Sequence, residues 1–190
     1  MTGRHTQLGR ESDWWPPLAF AGAYLVVALP VLLQSSPTRA VVAASLLLGG
    51  ALSALSAIDC KTMRLPDMLT LPLAAAGIVL AAGFDWAPLW WRLLSACVGF
   101  VALFAVAALY RTVRGQNGLG LGDAKLFAAA GAWVGLEGLP SVLLYAAGSA
   151  LAGILVAAVM GNEVTARTRF AFGPFLAFGL WLVWLYGPLT

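Results

Sequence analysis

Ala40-Val41-Val42-Ala43-Ala44-Ser45-Leu46-Leu47-Leu48-Gly49-Gly50-Ala51-Leu52-Ser53-Ala54-Leu55-Ser56-Ala57-Ile58-Asp59 is the stretch that decides the fold. Nineteen residues pass without a charge before Asp59 ends the run, close to the roughly 20 apolar residues a bilayer-spanning helix needs. The apolar positions are continuous and do not alternate, so a helix is expected and an outer-membrane barrel strand is not. Similar runs recur on either side. They are expected at Leu18 to Leu33, Met68 to Gly83, Leu89 to Tyr110, Ala124 to Leu136, Pro140 to Met160 and Phe170 to Tyr186.

These runs predict an all-α, polytopic membrane protein of about seven transmembrane helices (six to seven) in a single domain. The fifth, Ala124 to Leu136, has thirteen residues and is short for a spanning helix, which leaves three readings open: it crosses fully, starts inside the membrane, or lies in a cavity. Composition agrees: of 190 residues, 61% are hydrophobic and 10% charged, and the mean hydropathy is +0.88. Soluble domains carry about 25% charged residues. A cytosolic enzyme, a disordered tail and a nucleic-acid-binding domain are therefore excluded, and no nucleic acid is expected as partner. Cys60 and Cys97, both set in apolar sequence, make no disulfide framework or zinc ribbon.

Residues 1–17 read as a polar tail ending in Trp14, Trp15, Pro16 and Pro17, an interfacial aromatic pair followed by a helix start. A cleavable signal peptide is the competing reading of the first run. Against it stand the acids Glu11 and Asp13 ahead of the run and the lack of a small-x-small site between Gln34 and Arg39. With the amino terminus in the cytoplasm, nine of the eleven cations fall on that side: Arg4, Arg10, Lys61, Arg64, Arg111, Arg114, Lys125, Arg167 and Arg169. Arg39 and Arg92 remain on the other. This asymmetry sets the expected orientation, with an odd number of crossings.

Of the eight acids, Glu11, Asp13, Asp85, Glu137 and Glu163 fall in tails or between runs. Asp59, Asp67 and Asp123 stand at helix ends, where an ionisable group at membrane depth suggests function. Asp67, after Pro66, also reads as an ordinary amino-terminal carboxylate of the next helix. Asp123 could be such a cap too. It follows Gly118-Leu119-Gly120-Leu121-Gly122, where alternate residues lack a side chain and the backbone can approach another chain closely. A phosphate loop would need a Gly-Lys-Ser/Thr ending, which is missing. In the expected orientation Asp59 and Asp123 share one depth. Two adjacent carboxylates hold a single proton between them, and such a pair can activate water and polarise a carbonyl, as in aspartic peptidases. The sole histidine, His5, lies in the tail, so neither a nucleophilic triad nor a His-rich metal set competes. No cofactor or metal is expected.

Two stretches carry a family likeness. The first runs from Ala57-Ile58-Asp59-Cys60-Lys61 through Leu65-Pro66-Asp67-Met68-Leu69-Thr70-Leu71-Pro72-Leu73, and the second from Gly118-Leu119-Gly120-Leu121-Gly122-Asp123-Ala124-Lys125 to Gly135. With Phe172-Gly173-Pro174-Phe175-Leu176-Ala177 they resemble the type IV prepilin peptidases, membrane aspartic proteases whose second catalytic residue sits in a Gly-x-Gly-Asp motif. The resemblance spans residues 40–190, expected as the peptidase membrane domain, with 18–39 as an additional helix and short loop. It implies Asp59 and Asp123 as the catalytic pair, Gly120 and Gly122 shaping the loop, and Lys125 and Asp67 as supporting neighbours. A snorkelling cation is the other reading of Lys125.

The resemblance also implies a prepilin or pseudopilin precursor as substrate, cut at the cytoplasmic face of the inner membrane where its short basic leader meets its apolar helix, and membrane lipid as surroundings. A pilus or a type II secretion system would be served. The four-cysteine insert of longer members is missing ahead of Ala40, so a short form is expected and N-methyltransferase activity is in doubt. Two other readings stay open: a proton-coupled transporter using the same aspartates, or an inactive scaffold of a secretion or pilus machine.

Overall fold

The computed structural model describes residues 15–34, 38–84, 87–114, 120–159 and 171–189. Residues 1–14 of the expected tail, Asp85, residues 115–119, Glu163, Arg167 and Arg169 lie outside them, while residues 15–17, expected in the tail, begin the first helix. The described residues form six helices and no strand: α1 (Trp15–Gln34), α2 (Arg39–Thr62), α3 (Asp67–Gly83), α4 (Leu89–Arg114), α5 (Leu121–Val159) and α6 (Gly173–Tyr186). Among the described residues Arg39–Thr62 and Leu89–Val113 are long and apolar enough to cross a membrane, and a third apolar segment of sufficient length, Leu121–Val156, is broken at Gly135. Phe20–Pro30, Asp67–Gly83 and Gly173–Tyr186 are shorter apolar helices.

Local chemistry sets the helix ends. The Thr38 hydroxyl oxygen accepts the Val41 N–H and starts α2. At the other end Met63 adopts a left-handed conformation (φ 52°, ψ 33°) and donates its N–H to the Asp59 carbonyl at 2.8 Å. Asp59 therefore does not terminate the helix as the sequence suggests. The helix runs on through Thr62, because Cys60, Lys61 and Thr62 continue it before the strained cap. Proline then sets the next two starts, Pro66 ahead of α3 and Pro88 ahead of α4.

The fifth and sixth apolar runs are two helical legs of α5 that meet at Gly135 with no loop between them. At Gly135 the backbone takes φ 79°, ψ 177°, a conformation open essentially to glycine alone. The first leg, 121–134, packs beside α3, where Trp133 donates its indole N–H to the Leu73 carbonyl at 2.8 Å and its ring lies against Gly77. It is also tight against α4, with Gly131 on the Ser95 carbonyl and Gly99 on that of Phe127. The second leg, 136–159, runs along α6: Gly138 meets Val183, Gly179 meets Val142 and Gly153 meets Phe175. Arg92 of α4 holds the break by donating from Nη1 to the Trp133 carbonyl at 3.0 Å.

That break explains the short fifth run. Ala124, Leu126, Phe127, Ala129, Ala130, Ala132 and Trp133 are all buried, so the first leg is the centre of the bundle and its length is set by its neighbours rather than by lipid. Around it lie Leu48, Leu52 and Leu55 of α2 and Leu176, Ala177 and Leu180 of α6, also buried. Outward-facing positions such as Leu46, Leu109 and Leu144 are large, apolar and exposed, the surface a bilayer covers. Several helix hydroxyls donate within their own turns, as where Ser45, Ser53 and Ser95 donate to the carbonyls of Val41, Gly49 and Trp91.

Candidate active site

Ala44, Leu48, Leu52, Leu55 and Asp59 are buried at intervals of three and four residues along one face of α2. Asp59 is thus the last member of the core stripe, a carboxylate where the pattern calls for an apolar side chain, and only 5% exposed. Its partner comes from the far end of the sequence. The backbone N–H of Gly173, the first residue of α6, donates to Asp59 Oδ2 at 3.0 Å. Phe172, the residue preceding α6, offers no side-chain cap, so Asp59 satisfies one of the orphan N–H groups of α6 from another helix.

Asp123 is held differently. Helix α5 begins two residues before it, at Leu121, which places Asp123 in the third helical position. From there its Oδ2 accepts the Gly120 N–H at 3.1 Å, while the Asp123 N–H returns to the Gly120 carbonyl at 3.2 Å. This is the side-chain half of a capping box. Gly118, expected in the same loop, lies outside the described residues.

Leu65 joins the two positions. Its side chain is buried and fills the space between the starts of α5 and α6: a methyl group on Gly122 would sit 2.9 Å from Leu65 Cβ, and one on Gly173 would sit 3.3 Å from Leu65 Cδ1. A methyl group on Gly173 would also come within 2.5 Å of Asp59 Oδ2. Both glycines are therefore required by close approach. Gly122, next in sequence to Asp123, and Gly173, bonded to Asp59, thus lie against the same side chain.

Lys125 and Asp67 form their own unit. Lys125 Nζ donates to both Asp67 oxygens, at 2.6 and 2.7 Å, tying the start of α5 to the start of α3. The Lys125 side chain is 23% exposed and that of Asp67 56%, so the pair lies at the rim. Asp67 is both an amino-terminal carboxylate of α3 and an ion-pair partner, and Lys125 is a tether. Sequence reasoning missed Gly173 and Leu65 as parts of the site. The cap position of α6 is Phe172, so no capping residue type marks the Gly173 contact in the sequence.

The two carboxylates each accept one backbone N–H, Asp59 from Gly173 and Asp123 from Gly120. Among the described residues no three His, Cys, Asp or Glu side chains gather as metal ligands. Both cysteines are free and exposed.

The model of the type IV leader peptidase family matches residues 46–158, more than half of the chain. The chain belongs to the type IV leader peptidase family. The family match covers Asp59, Leu65, Asp67 and the Gly120–Lys125 stretch, while Gly173 falls beyond it. Among curated relatives, the prepilin leader peptidase/N-methyltransferase of Burkholderia pseudomallei is 45% identical over 133 residues, 68% of this chain and 41% of the relative. The protein of that name from Neisseria gonorrhoeae is 39% identical over 138 residues, 73% of this chain and 46% of the relative. That from Dickeya chrysanthemi is 34% identical over 177 residues, 93% and 62%. This leader peptidase family member spans about half the length of the curated relatives it matches. No solved structure matches it.

Proposed function

We propose that this chain is a membrane-embedded aspartic endopeptidase that removes the leader from a type IV prepilin or pseudopilin precursor, with Asp59 and Asp123 as the catalytic pair. The observation that carries the reading is the convergence on Leu65 of Gly122, next to Asp123, and Gly173, bonded to Asp59. Membership of the leader peptidase family supports it, and so do the names of the relatives, whose first activity is the hydrolytic one.

In the proposed reaction the ionised carboxylate takes a proton from a water as its oxygen attacks the scissile carbonyl carbon. The protonated carboxylate donates to the carbonyl oxygen. Collapse of the tetrahedral intermediate breaks the C–N bond, and a proton passes to the departing amine. One water is consumed, and a new carboxyl and a new amino terminus result. Gly120 and Gly173 steady the two carboxylates through their N–H groups, Gly122 lets the loop close on Leu65, and Lys125 with Asp67 fixes α5 against α3.

Lys61 and Lys125 stand two residues from Asp59 and Asp123 at the end of α2 and the start of α5, and Arg64 follows α2, whereas Arg39 begins α2 at its opposite end. By the retention of cations on the cytoplasmic side, the proposed site faces the cytoplasm of the inner membrane, where a basic leader would be held. Co-expression of a prepilin with the wild-type chain should yield the shortened pilin, and co-expression with Asp59→Ala or Asp123→Ala should leave the leader in place. Normal processing by either variant refutes the assignment.

A further inference from the structure

Helices α1 and α5 pack on α6 but do not touch each other among the described residues. Between them lies an apolar cavity of about 500 Å³, with Phe175 and Phe178 of α6 as its floor and Ala23 of α1 and Ser149 of α5 on its walls. It closes on Cys60 and Pro174, the residues next in sequence to Asp59 and Gly173. The groove therefore reaches the last turn of α2, which carries Asp59, and the first turn of α6, which carries Gly173.

The lining excludes a polar ligand. Its two hydroxyls are already engaged, Tyr24 with Ser56 at 3.2 Å and Ser149 with the Ala146 carbonyl at 3.1 Å. One position on each wall is small, Ala23 beside the aromatic Phe20 and Tyr24 on α1, and Ser149 on α5. Ala23 follows Gly22 and Ser149 follows Gly148, and a methyl group added to either glycine would meet nothing within 4 Å. Small residues let a helix backbone approach closely in a membrane, whereas positions such as Leu46 and Leu109, facing outward elsewhere, are large. The α1 wall is fixed: Trp181 donates its indole N–H to the Tyr24 carbonyl at 3.0 Å, and the Tyr186 hydroxyl donates to that of Val27 at 2.9 Å.

We propose that the groove between α1 and α5 seats the apolar helix of the substrate protein and so delivers the peptide bond preceding that helix to Asp59. This rests on the peptidase reading above and gives α1, which lies outside the family match, a part in substrate binding. A second apolar cavity, lined by Val101 of α4 and Lys125, lies between α3, α4 and α5 and reaches the Lys125 tether instead of the turn that carries Asp59.

The test uses the full chain in proteoliposomes with a type IV prepilin as substrate. Ala23→Trp and Ser149→Trp should each raise KM about tenfold and leave kcat within about twofold, the signature of lost uniform binding. Leu109→Trp should change neither. Because a tryptophan could disturb the helices, a second measurement reads proximity directly. In an Asp123→Asn chain with Cys60 and Cys97 changed to serine, Ala23→Cys and Ser149→Cys should cross-link to cysteines along the prepilin helix, repeating every three or four residues. Leu109→Cys should not cross-link. Unchanged KM in both tryptophan variants, or cross-links from Val101→Cys in place of the groove positions, overturns the inference and leaves lipid as the occupant of the groove. A wild-type chain that fails to cut the prepilin overturns the peptidase reading and this inference with it; normal cutting with indifferent groove variants overturns this inference alone.

Discussion

Gly173 donates its backbone N–H to Asp59 Oδ2 at 3.0 Å across 114 residues of chain, so the carboxylate of one helix caps the start of another. A methyl group on Gly173 would stand within 2.5 Å of that oxygen. Gly173→Ala should displace the carboxylate by a fraction of an ångström or more and lower the rate of leader removal on the order of 100-fold, the scale of a misplaced catalytic group. Single-turnover cleavage, with insertion checked by fractionation, measures it. Wild-type rates would mean that Asp59 does not need this contact.

Gly122 and Leu65 should behave as a coupled pair. Gly122→Ala puts a methyl group 2.9 Å from Leu65 Cβ, and overpacking of this kind costs about 1–3 kcal/mol. Leu65→Ala alone leaves a void. The double variant should recover part of the activity lost in Gly122→Ala, and a double-mutant cycle on kcat/KM gives the coupling. Strict additivity would contradict the wedge.

The Lys125–Asp67 pair should matter less than the aspartates. Both side chains reach the rim, and exposed ion pairs contribute about 0.2–1 kcal/mol. Asp67→Ala should therefore keep activity within about tenfold of wild type, and the charge-reversed pair Asp67→Lys with Lys125→Asp should do better than either single reversal. Complete loss of cleavage in Asp67→Ala would move that residue into the catalytic machinery.

Stability should depend on the break far from the site. Gly135→Ala forces a side chain into a glycine conformation and brings its methyl group to 2.9 Å from Glu137 Oε2. Such backbone strain costs about 1–3 kcal/mol, so the melting temperature in detergent should fall. Arg92→Ala, which frees the Trp133 carbonyl, should lower it too.

Much of this arrangement was readable because charges are scarce in apolar sequence. Asp59 and Asp123 stood out as acids at the edges of apolar runs, and Gly118 to Lys125 as a motif. The break at Gly135-Leu136-Glu137-Gly138 was also visible, as the end of one run and the start of the next. What it could not convey was that no loop intervenes: a glycine in a strained conformation breaks the helix in place, and this makes the thirteen-residue run a buried central leg. The Gly173 contact with Asp59 had no local trace, since a backbone N–H carries no residue code. Leu65 is similar. Its role as a wedge comes from two glycines that only the folded bundle brings together.

The most direct measurement is leader removal by purified Asp59→Asn and Asp123→Asn in proteoliposomes, beside the wild type, with melting temperature as the control for folding. Asparagine keeps the shape of aspartate and removes its ionisable group. The account predicts that both variants melt near the wild-type temperature and cut no prepilin. Cleavage by either at a rate within about tenfold of wild type would contradict it.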